Sequence, residues 1–174
     1  MDEHIDDLEE PRRLPKWVIR GMAVIMVLFM ISLIFFGWPI GDILIGQLES
    51  TGIEGNVIEV EGIRIELSDS AASDLKASYF TDLRTEFSAC LKGKVKGNVY
   101  SVDSLYIPKM YEQTFNHVRF ESCSKDTIVM LHSHPYKSCV ASETDLNTLA
   151  STKLVNSEVI MVIMCEPERV SVYR

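Results

Sequence analysis

From Gly21 through Gly41, twenty-one consecutive residues carry no charge, and Ile, Val, Leu, Met and Phe dominate them. A helix of that length spans the hydrocarbon core of a bilayer. A helix buried in a soluble core would show polar positions at helical spacing, and only Ser32 interrupts this run. Trp17 and Trp38 bracket it at the depth where amphipathic rings favour the headgroups, and Pro39 marks the helix end. A secretory signal has a shorter apolar stretch and a small-residue cleavage site, whereas the exit here reads Gly37-Trp38-Pro39-Ile40-Gly41. The segment is therefore expected to remain as an anchor. Arg12, Arg13, Lys16 and Arg20 precede the run and no Lys or Arg follows until Arg64, which predicts a cytoplasmic N-terminus and an extracytoplasmic C-terminal domain.

The remaining length, in a chain of 174 residues, supplies one globular core and not two. The expected organisation is an acidic then basic tail over residues 1–16, a transmembrane helix over 17–41, a linker over 42–55 and one domain over 56–174. The formal charge of -8 and the scattered Lys and Arg leave no basic stripe, which excludes nucleic acid as a partner. Cys90, Cys123, Cys139 and Cys165 form no C-x-x-C pair, so a zinc ribbon and a thioredoxin-type site are both excluded. Single buried or free thiols are the plainer expectation for them, with three disulfide pairings open.

Alternation predicts strands at Val57–Val60 and Ile63–Leu67, with Gly62 in the turn. Ala72, Leu75, Tyr79 and Leu83 recur at steps of three and four, so a helix follows, capped by Ser68 or Ser70. Further strands are expected at Glu86–Val95, Val99–Ile107, Val118–Glu121 and Thr127–His132, then a helix from about Glu143. The apolar run Glu158–Cys165 reads as a fully buried strand, and a short alternating strand ends at Tyr173.

The chemistry concentrates in two short segments. Ile128-Val129-Met130-Leu131-His132-Ser133-His134-Pro135 is an apolar strand ending in two histidines at i and i+2, so both imidazoles share one face, and Pro135 stops the strand where a ligand can reach them. Ser142-Glu143-Thr144-Asp145 has the form of a capping box, which places Asp145 in a first helical turn. Two imidazoles and a carboxylate brought together would offer three metal ligands and leave a fourth position for water. The plainer readings are strand-end polar residues and ordinary helix capping. His117 and His4 have no partner at ligand spacing.

His132-Ser-His134-Pro followed by Ser142-x-x-Asp145 resembles the signature of the JAMM (MPN-plus) zinc metalloproteases, and Glu86-Phe-Ser-Ala89-Cys-Leu91-Lys-Gly93 resembles that family's upstream glutamate segment. Ala89 stands where glycine is commoner, and the loop before Ser142 lacks the family's usual proline. The resemblance covers roughly residues 56–174 and implies a fold of α/β (α+β) class, an MPN/JAMM-like (cytidine-deaminase-like) mixed central sheet flanked by helices. It implies one Zn2+ held by His132, His134 and Asp145, Glu86 as general base and proton shuttle, Ser142 stabilising the tetrahedral intermediate, and Ser133 supporting the site. The implied activity is hydrolysis of a peptide or isopeptide amide in a protein or peptide substrate. A compact domain without long insertions leaves ubiquitin-like tags, sulfur-carrier proteins and small C-terminal peptides as substrates. The alternative is a membrane-tethered binding or scaffold module without catalysis. Zinc deaminases need H-x-E with a later P-C-x-x-C and helical zincins need H-E-x-x-H, and neither pattern occurs.

Overall fold

A computed structural model describes residues 15–37, 40–81, 85–113, 118–134 and 138–174. The chain divides into two units, residues 1–39 and 40–174. The described part of the first unit is helix α1 (Lys16–Gly37), long and apolar enough to cross a membrane. Its apolar side chains face outward all around; Val24, Ile25, Met26, Val27 and Leu28 are each more than half exposed. A helix that is apolar on every side has no preferred face to bury in a soluble core.

The second unit contains α2 (Ile40–Glu49), β1 (Thr51–Glu54), β2 (Val57–Val60), β3 (Ile63–Leu67), α3 (Asp69–Thr81), β4 (Ser88–Lys96), β5 (Val99–Tyr106), β6 (Met110–Gln113), β7 (Val118–Phe120), β8 (Thr127–Ser133), α4 (Glu143–Lys153), β9 (Ile160–Glu166) and β10 (Arg169–Tyr173). Most lie where alternation and periodicity predict them. Ser68 is the residue at the start of α3 that accepts from a backbone amide, that of Ala71. Leu83, expected on the apolar face of α3, and His4 and His117 lie outside the described residues.

The topology corrects the expected architecture. In place of an MPN/JAMM-like central sheet flanked by helices, eight strands close into a mixed barrel in the order β1-β10-β9-β8-β4-β5-β3-β2, while β6 and β7 form a separate ribbon. The pairs β3–β5 and β8–β9 are parallel and the rest antiparallel. Closure depends on β1, which pairs with β10 through Thr51↔Val170 on one side and with β2 through Ile53↔Ile58 on the other. That strand lies within residues 42–55, read from the sequence as a linker. Its four residues, Thr-Gly-Ile-Glu, are too few to show a period, so only the two waiting edges reveal it.

The main core joins Ile65 and Leu67 of β3, Val102 of β5, Val129 and Leu131 of β8, and Val162 of β9 to Ala71, Ala72 and Leu75 of α3. The opposite faces of β8 and β9 present Met130, Met161 and Ile163 to Leu149 of α4. Both faces of these two strands are covered, which is why their sequence is continuously apolar rather than alternating.

All four cysteines are paired, contrary to the expectation of single thiols: Cys90 with Cys123, and Cys139 with Cys165. The Cα–Cα separations of 5.7 and 5.1 Å fall in the range a disulfide requires. Spacing along the chain carries no sign of either pairing, because each bridge joins a strand to a loop that only the fold brings near.

Candidate functional site

The site forms where the start of β4, the end of β8 and the first turn of α4 meet. Strands β4 and β8 run antiparallel with Ser88 opposite His132 and Ala89 opposite Leu131. The pairing continues past the strand end: the Ser133 amide donates to the Phe87 carbonyl at 2.9 Å, and the Phe87 amide donates to Ser133 Oγ at 2.9 Å. Continuing the same register by one residue sets Glu86 opposite His134. On the other side of β8, the His134 amide donates to the Met164 carbonyl of β9 at 2.9 Å. Ser133 thus ties the end of β8 to the residue before β4.

Gly93 sits at a bulge between β4 and β5, and a Cβ there would collide with the Ser101 carbonyl. Only glycine lets the two strands approach so closely at that point.

Asp145 comes from α4, whose start is the predicted capping box. Ser142 Oγ accepts from the Asp145 amide at 3.2 Å, and an Asp145 carboxylate oxygen, Oδ2, accepts from the Ser142 amide at 2.8 Å and from Ser142 Oγ at 2.7 Å. The same oxygen lies 3.2 Å from His134 Nε2, and Oδ1 lies 3.8 Å from His132 Nδ1. His132, Asp145 and Glu86 are buried, and His134 is nearly so. The five residues singled out from the sequence, Glu86, His132, His134, Ser142 and Asp145, therefore gather from three separate elements.

Their electrostatics diverge sharply. Burial pushes Glu86 up to about 7, with the Asp145 charge adding to the effect and His134 opposing it. Burial also drives His132 down to about 4, so its ring is neutral. For His134 burial opposes the charged form, but the hydrogen bond and charge of Asp145, with the charge of Glu86, outweigh it and raise the pKa. Asp145 is its mirror: burial would raise it, yet His134 and the Ser142 donors hold it well below the ordinary carboxylate range. His134 and Asp145 thus form an ion pair beside a carboxyl that titrates near neutrality.

The expected zinc site is not borne out by this geometry. Among the described residues, no group of three His, Cys, Asp or Glu side chains is arranged to hold a metal ion. His132 Nε2 is buried without a hydrogen-bond partner, while the other candidate ligand atoms are engaged within the protein. Asp145 Oδ2 is engaged by Ser142 and His134, and His132 Nδ1 is 3.1 Å from Ser88 Oγ.

Three contributors escape sequence reasoning. Ser88 orients His132 through Nδ1. Phe120 of β7 sets its ring against the His132 imidazole at 5.1 Å between centroids. Tyr173, near the chain end, receives a hydrogen bond from the Ala141 amide at 2.9 Å and donates to the Cys139 carbonyl at 3.3 Å, fixing the loop that leads into Ser142. Ser88 could have been found from the strand period, two residues after Glu86; the other two carry no local signal.

A groove of about 690 Å³ runs beside α4, lined by Phe120, Lys125, Thr144, Asn147, Thr148 and Thr152 among others. Phe120 and Thr144 connect it to the site, one touching His132 and the other preceding Asp145 in the chain. No protein-family model matches this chain, and no curated protein matches it either.

Proposed function

We propose that the chain is a membrane-anchored hydrolase of peptide or isopeptide amides, with Glu86 as the group that moves protons. The observation that carries this reading is the convergence of Glu86, His134, Asp145 and Ser142 from three elements at one end of the barrel. The resemblance of those residues to the JAMM signature supports it. In the proposed reaction the Glu86 carboxylate takes a proton from water, and the hydroxide forms a bond to the amide carbonyl carbon. The carbon–nitrogen bond then breaks as Glu86 returns that proton to the departing amine, which cannot leave as an anion. The protonated His134, held by Asp145, supplies positive charge near the developing oxyanion. The groove beside α4, lined by Phe120, Met130 and Val155 together with Asn147, Thr148 and Lys125, has the volume of a ligand pocket and could receive one segment of such a substrate.

The finer topology belongs to the same proposal: the N-terminus lies in the cytoplasm and the barrel outside it. Basic residues flank only the N-terminal side of α1, and two disulfides are the mark of an oxidising compartment. Protease added to intact cells should then digest the barrel, and digestion only after lysis would reverse the orientation.

One observation favours a second reading, a tethered binding module: Asp145 already accepts from Ser142 and pairs with His134. A single variant separates the two. Full-length chain in detergent, offered a library of peptides and isopeptide-linked conjugates, should cleave some of them, and Glu86→Gln should lose at least about a hundredfold, the usual contribution of a general base. Cleavage unchanged by Glu86→Gln would remove the assigned mechanism, and binding without cleavage in both proteins would establish the module.

A further inference from the structure

Helix α2 has two faces. Inward, Gly46 is buried so closely on the loop that leads to α4 that a Cβ would stand 2.8 Å from the Cys139 amide nitrogen. The helix end is pinned as well, since Arg169 of β10 donates to Ser50 Oγ at 3.0 Å and the Ser50 amide donates to the Gly46 carbonyl. Outward, Leu44, Ile45 and Leu48 stand one helical turn or one residue apart and are exposed, Leu48 by 87%. A contiguous leucine and isoleucine face on a rigidly clasped helix calls for an apolar partner.

The covalent chain identifies that partner. Helix α1 contains 22 residues, about 33 Å of rise, enough to cross a hydrocarbon core of about 30 Å with little to spare. Only two residues separate Gly37 from Ile40, so the start of α2 can lie no more than about 11 Å from the end of α1. The headgroup layer is itself about 5 to 8 Å deep on each side, and interfacial helices sink about 5 to 10 Å into that boundary. A protein partner would have to reach this face inside a layer that lipid already fills.

We infer that α2 is an interfacial helix whose Leu44, Ile45 and Leu48 face rests in the lipid headgroup boundary, docking the barrel on the membrane through the loop that carries Cys139. α2 carries no Lys or Arg and two acidic residues, Asp42 and Glu49, so the contact draws on apolar area and gains nothing from anionic lipid. Where the proposed hydrolase reading holds, the substrates are polypeptide segments close to the bilayer, because the docked loop is the one that joins His134 to Ser142.

The docking is tested without any catalytic assay, so its failure is distinct from failure of the hydrolase reading. With the four native cysteines bridged, Leu48→Cys or Leu44→Cys in the full-length chain offers one free thiol for a nitroxide. In phosphatidylcholine vesicles, collision of the label with oxygen should exceed collision with a water-soluble nickel chelate severalfold more at either position than at Asp74→Cys on α3. Adding anionic lipid should not raise that ratio. Nickel access at positions 44 and 48 equal to that at 74 overturns the inference. Spin–spin broadening that grows with protein density assigns the face to a second copy of the chain and overturns it too.

Discussion

Helix α1 and the strand pair β8–β9 are both almost wholly apolar, yet the first exposes its side chains on every side and the second hides them completely. Val24 through Leu28 are each 58% exposed or more, while Val159 through Cys165 are 1% or less. The difference lies in the backbone. A helix satisfies its own amides and carbonyls, so a long apolar helix needs only an apolar solvent. A strand must find neighbours on both edges, and here β8 and β9 find each other, then β4 and β10. Apolar content alone does not separate the two regions; uninterrupted length does.

Equivalent substitutions in the two regions should therefore have opposite consequences. The largest effect is expected from Val162→Asp, a charge placed at a 1% exposed position of β9, which should prevent the barrel from folding at all, with a cost of more than about 4 kcal/mol. Ile25→Asp in α1 should leave the thermal unfolding of the barrel untouched and instead reduce the share of protein recovered in the membrane fraction. Loss of barrel stability in Ile25→Asp would break the comparison. Next comes Ile163→Ala, expected to destabilise by about 2 to 5 kcal/mol in denaturant titration, against no change in the same titration for Phe29→Ala.

The double variant Cys139→Ser with Cys165→Ser opens a loop of sequence separation 26 and should lower stability by about 3 kcal/mol. It also releases the loop before Ser142, so the amides of Ala141 and Ser142 should exchange hydrogen faster while those at the centre of β9 do not. Equal acceleration in both places would mean that the bridge supports the whole barrel and not that loop.

The last effect depends on pH and comes from Glu86→Gln, just before β4. Glu86 titrates near 7 in the folded chain against an ordinary value of 4.5. Between those values the folded state holds the proton more tightly than the unfolded one. Its contribution is therefore fully present below about pH 4.5 and lost as pH rises through about 7. Glu86→Gln should melt higher than the parent at pH 8, and the gap should close as pH falls toward 4.5. A gap of constant size across that range would show that Glu86 is not the group titrating.

Much of the local structure was legible in residue order. The strand ending in His132-Ser133-His134, the capping box at Ser142 and Asp145, and the buried run before Cys165 each announce themselves through a period or a cap that acts over a few residues. The meeting of Glu86 with His134 was legible through a motif, though not through any property of Glu86 alone. The closure of the sheet was hidden because β1 is four residues long and its role exists only between two edges. Zinc ligation was expected from the types and spacing of three residues, but coordination depends on where lone pairs point. Here Ser142 and His134 turn those of Asp145 inward.

Length without charge, strand period and helix caps are local properties, and by themselves they determined the apolar helix, most of the strands and the cluster of candidate groups. The tertiary structure alone decided that the strands close into a barrel, which cysteines pair, and that Glu86 is driven toward neutrality while Asp145 is held ionised. Those outcomes arise from distances between residues far apart in the chain, and from the water that their packing removes.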